Sequence, residues 1–126
     1  MDELERGVDL RKRTKQFALR IIRLCEKLPA RPVGRVIASQ FLRCGTSVGA
    51  NYRAVCRSRS TADFVSKLGV VLEEADESAY WLELVVESGL LPSGKLAPLR
   101  KEAEELVAIF AASRITASQH STEKHS

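Results

Sequence analysis

Residues 64–86 read Phe64-Val-Ser-Lys-Leu68-Gly-Val-Val71-Leu-Glu-Glu-Ala75-Asp-Glu-Ser-Ala79-Tyr-Trp-Leu82-Glu-Leu-Val-Val86. Phe64, Leu68, Val71, Ala75, Ala79, Leu82 and Val86 recur at steps of three and four, which lines them along one face of an α-helix. Just before the run, Ser60 is placed to cap the helix, with Asp63 three residues on imitating the carboxylate of a capping box. After it, Ser88-Gly89 and then Pro92 mark the stop.

The same period continues in both directions. Ile37, Phe41, Cys44, Val48, Tyr52 and Val55 predict a helix over about Gly34 to Arg57, and Leu10, Thr14, Phe17, Ile21, Leu24 and Leu28 another over about Asp9 to Leu28. Pro29 and Pro32 end the earlier one, because proline lacks the N–H donor and disfavours helix in the residue before it. Downstream, Leu96, Leu99, Ala103, Leu106, Phe110 and Ser113 predict a fourth helix over about Lys95 to Ala117. Four helices of similar length joined by short connections favour antiparallel neighbours, so the expected fold is all-α: an up-down-up-down four-helix bundle formed by residues 1–117, with a polar, disordered tail at 118–126. Gly45 and Gly49 interrupt helix two, where each glycine costs up to about 1 kcal/mol relative to alanine. Close helix–helix approach is the expected reason, and an oligomer contact the alternative.

With 126 residues, 44% apolar and 29% charged, the chain is one globular domain rather than a disordered one. The amino terminus carries acidic and then basic residues instead of an apolar run, so it is not read as a signal peptide. No charge-free apolar stretch is long enough to span a bilayer, and a cytoplasmic location is expected. Cys25, Cys44 and Cys56 form no CxxC pair and fall in apolar helical contexts, where each is expected to be buried as a small hydrophobe.

Metal and hydrolytic chemistry find no support. The only histidines, His120 and His125, lie in the expected tail, no nucleophile–base arrangement falls on the helices, and the glycines form no phosphate loop. The expectation is a protein without enzymatic activity, cofactor, metal, small-molecule substrate or membrane partner.

Charge is organised more sharply. Residues 1–60 hold 14 Lys and Arg against 5 Asp and Glu, whereas residues 61–126 hold 6 against 11. Arg13, Gln16, Arg20, Arg23 and Lys27 form one stripe on helix one. Arg35, Ser39, Arg43, Thr46, Ala50, Arg53 and Arg57 form another on helix two, with Arg59 in the following turn. Glu73, Asp76, Tyr80, Glu83 and Glu87 form an acidic stripe on helix three. Two readings stand side by side. Either the acidic stripe neutralises a basic one, within the bundle or across a subunit boundary, or the basic stripes stay open and contact RNA or DNA phosphates. Because aromatic residues are absent from the basic stripes, such contact would be to backbone rather than to stacked bases.

Helices three and four also carry more apolar residues than one core can use. Val65, Val70, Leu72, Tyr80, Trp81, Leu84 and Val85 supplement the stripe of helix three, and Val107, Ile109 and Ile115 with several alanines supplement helix four. Helices that are apolar over more than one face need cover on more than one side, which points to a symmetric homo-oligomer. Asn51 and Glu77 are polar residues close to the core stripes, and an Asn–carboxylate or Arg–carboxylate contact would satisfy them.

Arg43-Cys-Gly-Thr-Ser47-Val-Gly-Ala-Asn51-Tyr-Arg-Ala, then Arg57-Ser-Arg-Ser60-Thr-Ala-Asp63-Phe64, then Lys67 through Glu77 and Trp81 to Leu91, resembles the bacterial four-helix bundle family named for proteins encoded in intervening sequences of large-subunit ribosomal RNA genes. More remotely, it is similar to the accessory variability proteins of diversity-generating retroelements. The family pattern falls here on Arg43, Ser47, Asn51, Ser60, Asp63, Phe64 and Glu77. Where many members read Asn-Ile-Ala-Glu-Gly, this chain has Asn51-Tyr-Arg-Ala-Val, losing an acid and gaining Arg53. The resemblance implies a homopentameric, barrel-like assembly without known enzymatic activity, and nucleic-acid or ribonucleoprotein binding by members with a basic surface. The residues expected to make such contacts are Arg13, Arg20, Arg23, Lys27, Arg35, Arg43, Arg53, Arg57 and Arg59.

Overall fold

The computed structural model describes residues 2–125, without the side chains of Glu3 and of residues 121–125. Its elements are α1 (Glu3–Glu26), α2 (Pro32–Val55), α3 (Thr61–Glu87) and α4 (Ser93–His125), and no strand occurs among the described residues.

Local chemistry accounts for the ends. α1 begins ahead of the expected Asp9 because Asp2 caps it, its carboxylate accepting the Glu5 N–H at 2.8 Å. α2 opens on Pro32, where a missing N–H costs nothing because the first turn has no partner for it. At the start of α3 the Ser60 hydroxyl accepts the Asp63 N–H at 3.0 Å, and the Asp63 carboxylate reaches back to the Arg59 N–H at 3.2 Å. An ion pair with Lys67 and that backbone bond hold the Asp63 carboxyl below its usual range. Gly89 follows α3 with φ of 73°, a backbone that side chains with a Cβ rarely adopt. α4 continues past the expected end at Ala117 to His125, so the backbone of the segment expected to be a disordered tail is helical up to that residue. The side chains from Ser121 onward lie outside the described residues.

Each helix packs on the next in sequence, and α4 meets α1 more lightly. The expected stripes meet in one core. Phe17, Ile21, Phe41, Val48, Leu68, Leu82, Leu106 and Phe110 are all essentially inaccessible, and each such burial is worth roughly 1.5–3 kcal/mol relative to exposure.

Between α1 and α2, Thr14 lies against Gly49, Ile21 against Gly45, and Cys25 reaches the Ala38 carbonyl. A Cβ on Gly45 would come within 2.4 Å of Ile21 Cδ1, and one on Gly49 within 3.2 Å of Thr14 Oγ1. The two mid-helix glycines therefore permit close approach of α1 within a single chain.

The additional apolar residues divide. Val85 is buried in the core, whereas Trp81, Leu84 and Ile109 are only half-buried and Val70, Tyr80 and Ile115 are 43%, 54% and 60% exposed. One chain leaves part of this surface open.

Candidate nucleic-acid interface

Arg11, Lys12 and Lys15 of α1, Arg53 of α2 and Arg57 just beyond it line an open groove, with Val8 and Cys56 between them. The glycine-mediated approach of the two helices brings them together: Thr14 faces α2 across Gly49, so the residues beside it project along the α1–α2 seam. All five cations are exposed, and among the described residues none forms an ion pair. Among the described residues, no carboxylate and no aromatic ring lines the groove. Tyr52 lies buried one turn before Cys56, and burial followed by the neighbouring Cys56 thiol pushes its hydroxyl up to about 12.

Cys56 departs from expectation. Cys25 and Cys44 are buried in the core, but Cys56 is exposed at the groove, because it follows the last turn of α2, where its position no longer faces α3 and α4. Burial raises the Cys25 thiol to about 11 and raises that of Cys44 as well.

The other residues expected to contact nucleic acid separate by location. Arg13 is held against α4. Its Nη2 donates to Glu102 at 2.5 Å and to Glu105 at 3.1 Å, and the bond to Glu102 is the main cause of its raised pKa. Arg43 is held against α3 by Glu77 and by Glu74 at 3.3 Å. Both guanidiniums are therefore occupied within the chain. Arg20 is half-buried, while Arg23, Lys27 and Arg35 are exposed further along α1 and α2, Arg35 donating weakly to the Ala30 carbonyl at 3.4 Å. Arg59 is exposed in the turn before α3. Stripe reading missed Arg11, Lys12 and Lys15, which lie off the Arg13–Lys27 line. The basic run Arg11-Lys-Arg-Thr-Lys15 was the available signal.

The remaining motif residues organise the helices. Glu77 accepts the Trp81 indole N–H at 3.1 Å as well as the Arg43 guanidinium, the Arg–carboxylate alternative expected for it. Asn51 donates instead to the Ser47 carbonyl at 2.8 Å, and Ser47 to the Arg43 carbonyl at 2.6 Å, both within α2. Ser60 and Asp63 cap α3, and Phe64 packs half-buried on the core. Among the described residues no group of His, Cys, Asp and Glu could hold a metal ion, and no helix is long and apolar enough to cross a membrane.

An all-α four-helix protein with an open cationic groove is the class that fold and site define. The chain belongs to the family described as 23S rRNA-intervening sequence protein, whose pattern it matches over residues 6–112. It is similar to a crystal structure of a protein with unknown function from the S23 ribosomal protein family of Bacteroides thetaiotaomicron, at 31% identity and a TM-score of 0.77, covering 83% of this chain and 97% of that one. No match occurs among curated proteins.

Proposed function

We propose that the protein is a non-enzymatic, cytoplasmic binding module that holds RNA, or a ribonucleoprotein, by its phosphate backbone along the α1–α2 groove. The observation that carries this reading is the set of five cations along one groove with no carboxylate in its lining among the described residues, Glu5 and Asp9 lying beyond Val8 and Lys12. Cations that would otherwise repel one another gain most from a polyanion, whose condensed counterions are released on binding. A groove without aromatic residues suits backbone contact rather than base readout.

The binding unit is an antiparallel up-down-up-down bundle assembled as a homopentamer. The opposed course of the Thr14/Gly49, Ile21/Gly45 and Cys25/Ala38 pairs supports the first part, and the open apolar residues of α3 and α4 support the second. Repeating the groove around a ring would multiply weak phosphate contacts into useful avidity. A second reading, an assembly scaffold with no nucleic-acid partner, draws on the acidic stripe of α3, whose carboxylates form no ion pair among the described residues.

Light scattering combined with titration of a labelled RNA hairpin and a DNA duplex on the same sample tests the proposal. The expected result is an oligomer whose affinity falls linearly, in log–log form, with salt. Failure to bind either nucleic acid at about 50 mM salt, where such contacts are strongest, overturns it in favour of the scaffold.

A further inference from the structure

α1 and α3 make no close contact within the chain, each packing only on α2 and α4, so they occupy opposite corners of the bundle. On their outer sides run two stripes of opposite sign. Arg20, Arg23 and Lys27 follow Gln16 on α1 at steps of four, three and four. Glu73, Asp76, Glu83 and Glu87 flank Tyr80 on α3 at steps of three and four. None of these charges forms an ion pair among the described residues.

The stripes also stand level. Ile21 of α1 lies against Gly45 of α2, and the neighbouring Cys44 of α2 accepts a hydrogen bond from Ser78 of α3 at 3.4 Å. The turn carrying Arg20 and Arg23 is therefore at the height of the turn carrying Asp76 and Tyr80. Tyr80, 54% exposed, stands in the middle of the acidic stripe, and Val70, 43% exposed, lies about one turn before its first acid.

We infer that the acidic face of α3 docks on the Arg20–Arg23–Lys27 edge of α1 in a second copy of this chain. This deepens the assembly reading above and rests on it. Two different faces meeting make a head-to-tail contact, which closes into a ring only when the operation between neighbours is rotation without a rise. Stripes at one height leave no rise between neighbours, so the contact closes into a ring, with its axis along the helices, where the two outer faces are set at an angle rather than back to back. Stripes displaced along the bundle would give an open filament. The groove of Arg11, Lys12, Lys15, Arg53 and Arg57 lies toward the other end of α1 and remains free for a different ligand.

Charge reversal tests the contact. One variant carries Asp76→Lys, Glu83→Lys and Glu87→Lys, a second carries Arg20→Glu, Arg23→Glu and Lys27→Glu, and a third carries all six. Light scattering should show the first two falling toward the 14.0 kDa of one chain and the third regaining the wild-type mass. Circular dichroism establishes that each variant is helical. If one is not, salt dissociation of the wild-type assembly, which screening of exposed charges should promote, takes its place. Wild-type mass in the first two variants, no recovery in a folded third, or in that replacement no effect of salt overturns the inference and leaves self-assembly standing. A wild-type protein that is itself monomeric overturns both.

Discussion

The guanidinium of Arg43 on α2 and the carboxylate of Glu77 on α3 are joined across the helix pair, and the same carboxylate accepts the indole N–H of Trp81 at 3.1 Å. One acid thus ties two helices and orients the only tryptophan of the chain. Arg43 remains 49% exposed and Glu77 35%, so solvent discounts the pair heavily.

Glu77→Ala is expected to lower stability by about 1 kcal/mol, combining a screened ion pair with one lost hydrogen bond. Tryptophan emission should change with it, because the indole N–H loses its acceptor. Arg43→Ala should lower stability comparably while leaving the Glu77–Trp81 bond in place. A chemical-denaturation double-mutant cycle showing no coupling between Arg43 and Glu77 would contradict the contact.

Gly45→Ala sets a propensity gain of about 1 kcal/mol against insertion of a methyl 2.4 Å from Ile21 Cδ1 in a fully buried site. Overpacking of this kind costs about 1–3 kcal/mol, so net destabilisation is expected. Adding Ile21→Val removes the obstructing Cδ1 and should recover part of the loss. Thermal unfolding checks both. Gly45→Ala at or above wild-type stability would mean that α1 and α2 are further apart than described.

Alanine at Lys12, Lys15, Arg53 or Arg57 should weaken RNA binding and reduce the log–log salt slope by about one for each phosphate contact removed. Arg13→Ala and Arg43→Ala should leave the slope nearly unchanged, since Glu102 and Glu77 already hold those guanidiniums. Equal effects from both groups would move the interface away from the groove.

Alkaline titration reads the core. Burial raises Cys25 from 9.0 to about 11 and Tyr52 from 10.0 to about 12. The fold prefers the protonated form of each, so their contribution is complete below pH 9, the unfolded thiol value, and declines as pH rises through about 11 and 12. Tyr52→Phe should flatten the upper part of that decline in thermal melts recorded against pH.

Periodicity alone marked four helices, and the Phe41–Val55 and Leu96–Phe110 stripes that it picked out are buried as expected. Ser60 was legible as a cap because its bond spans three residues, and Gly45 and Gly49 because their cost within a helix demanded a neighbour. α1 starts earlier than its apolar period indicates, because the cap at Asp2 stands before the first apolar repeat.

Sequence by itself determined the helices, their apolar faces and the stripes of charge, since these depend on spacings of three and four within one segment. Tertiary structure alone decided which cations are occupied, joining Arg13 to Glu102 and Arg43 to Glu77, and it gathered Arg11, Lys12 and Lys15 with Arg53 and Arg57. It also exposed Cys56 while burying Cys25 and Cys44. The physical reason is that helix register and separation, set by contacts such as Ile21 on Gly45, bring together charges far apart in the chain, and no local period carries that information.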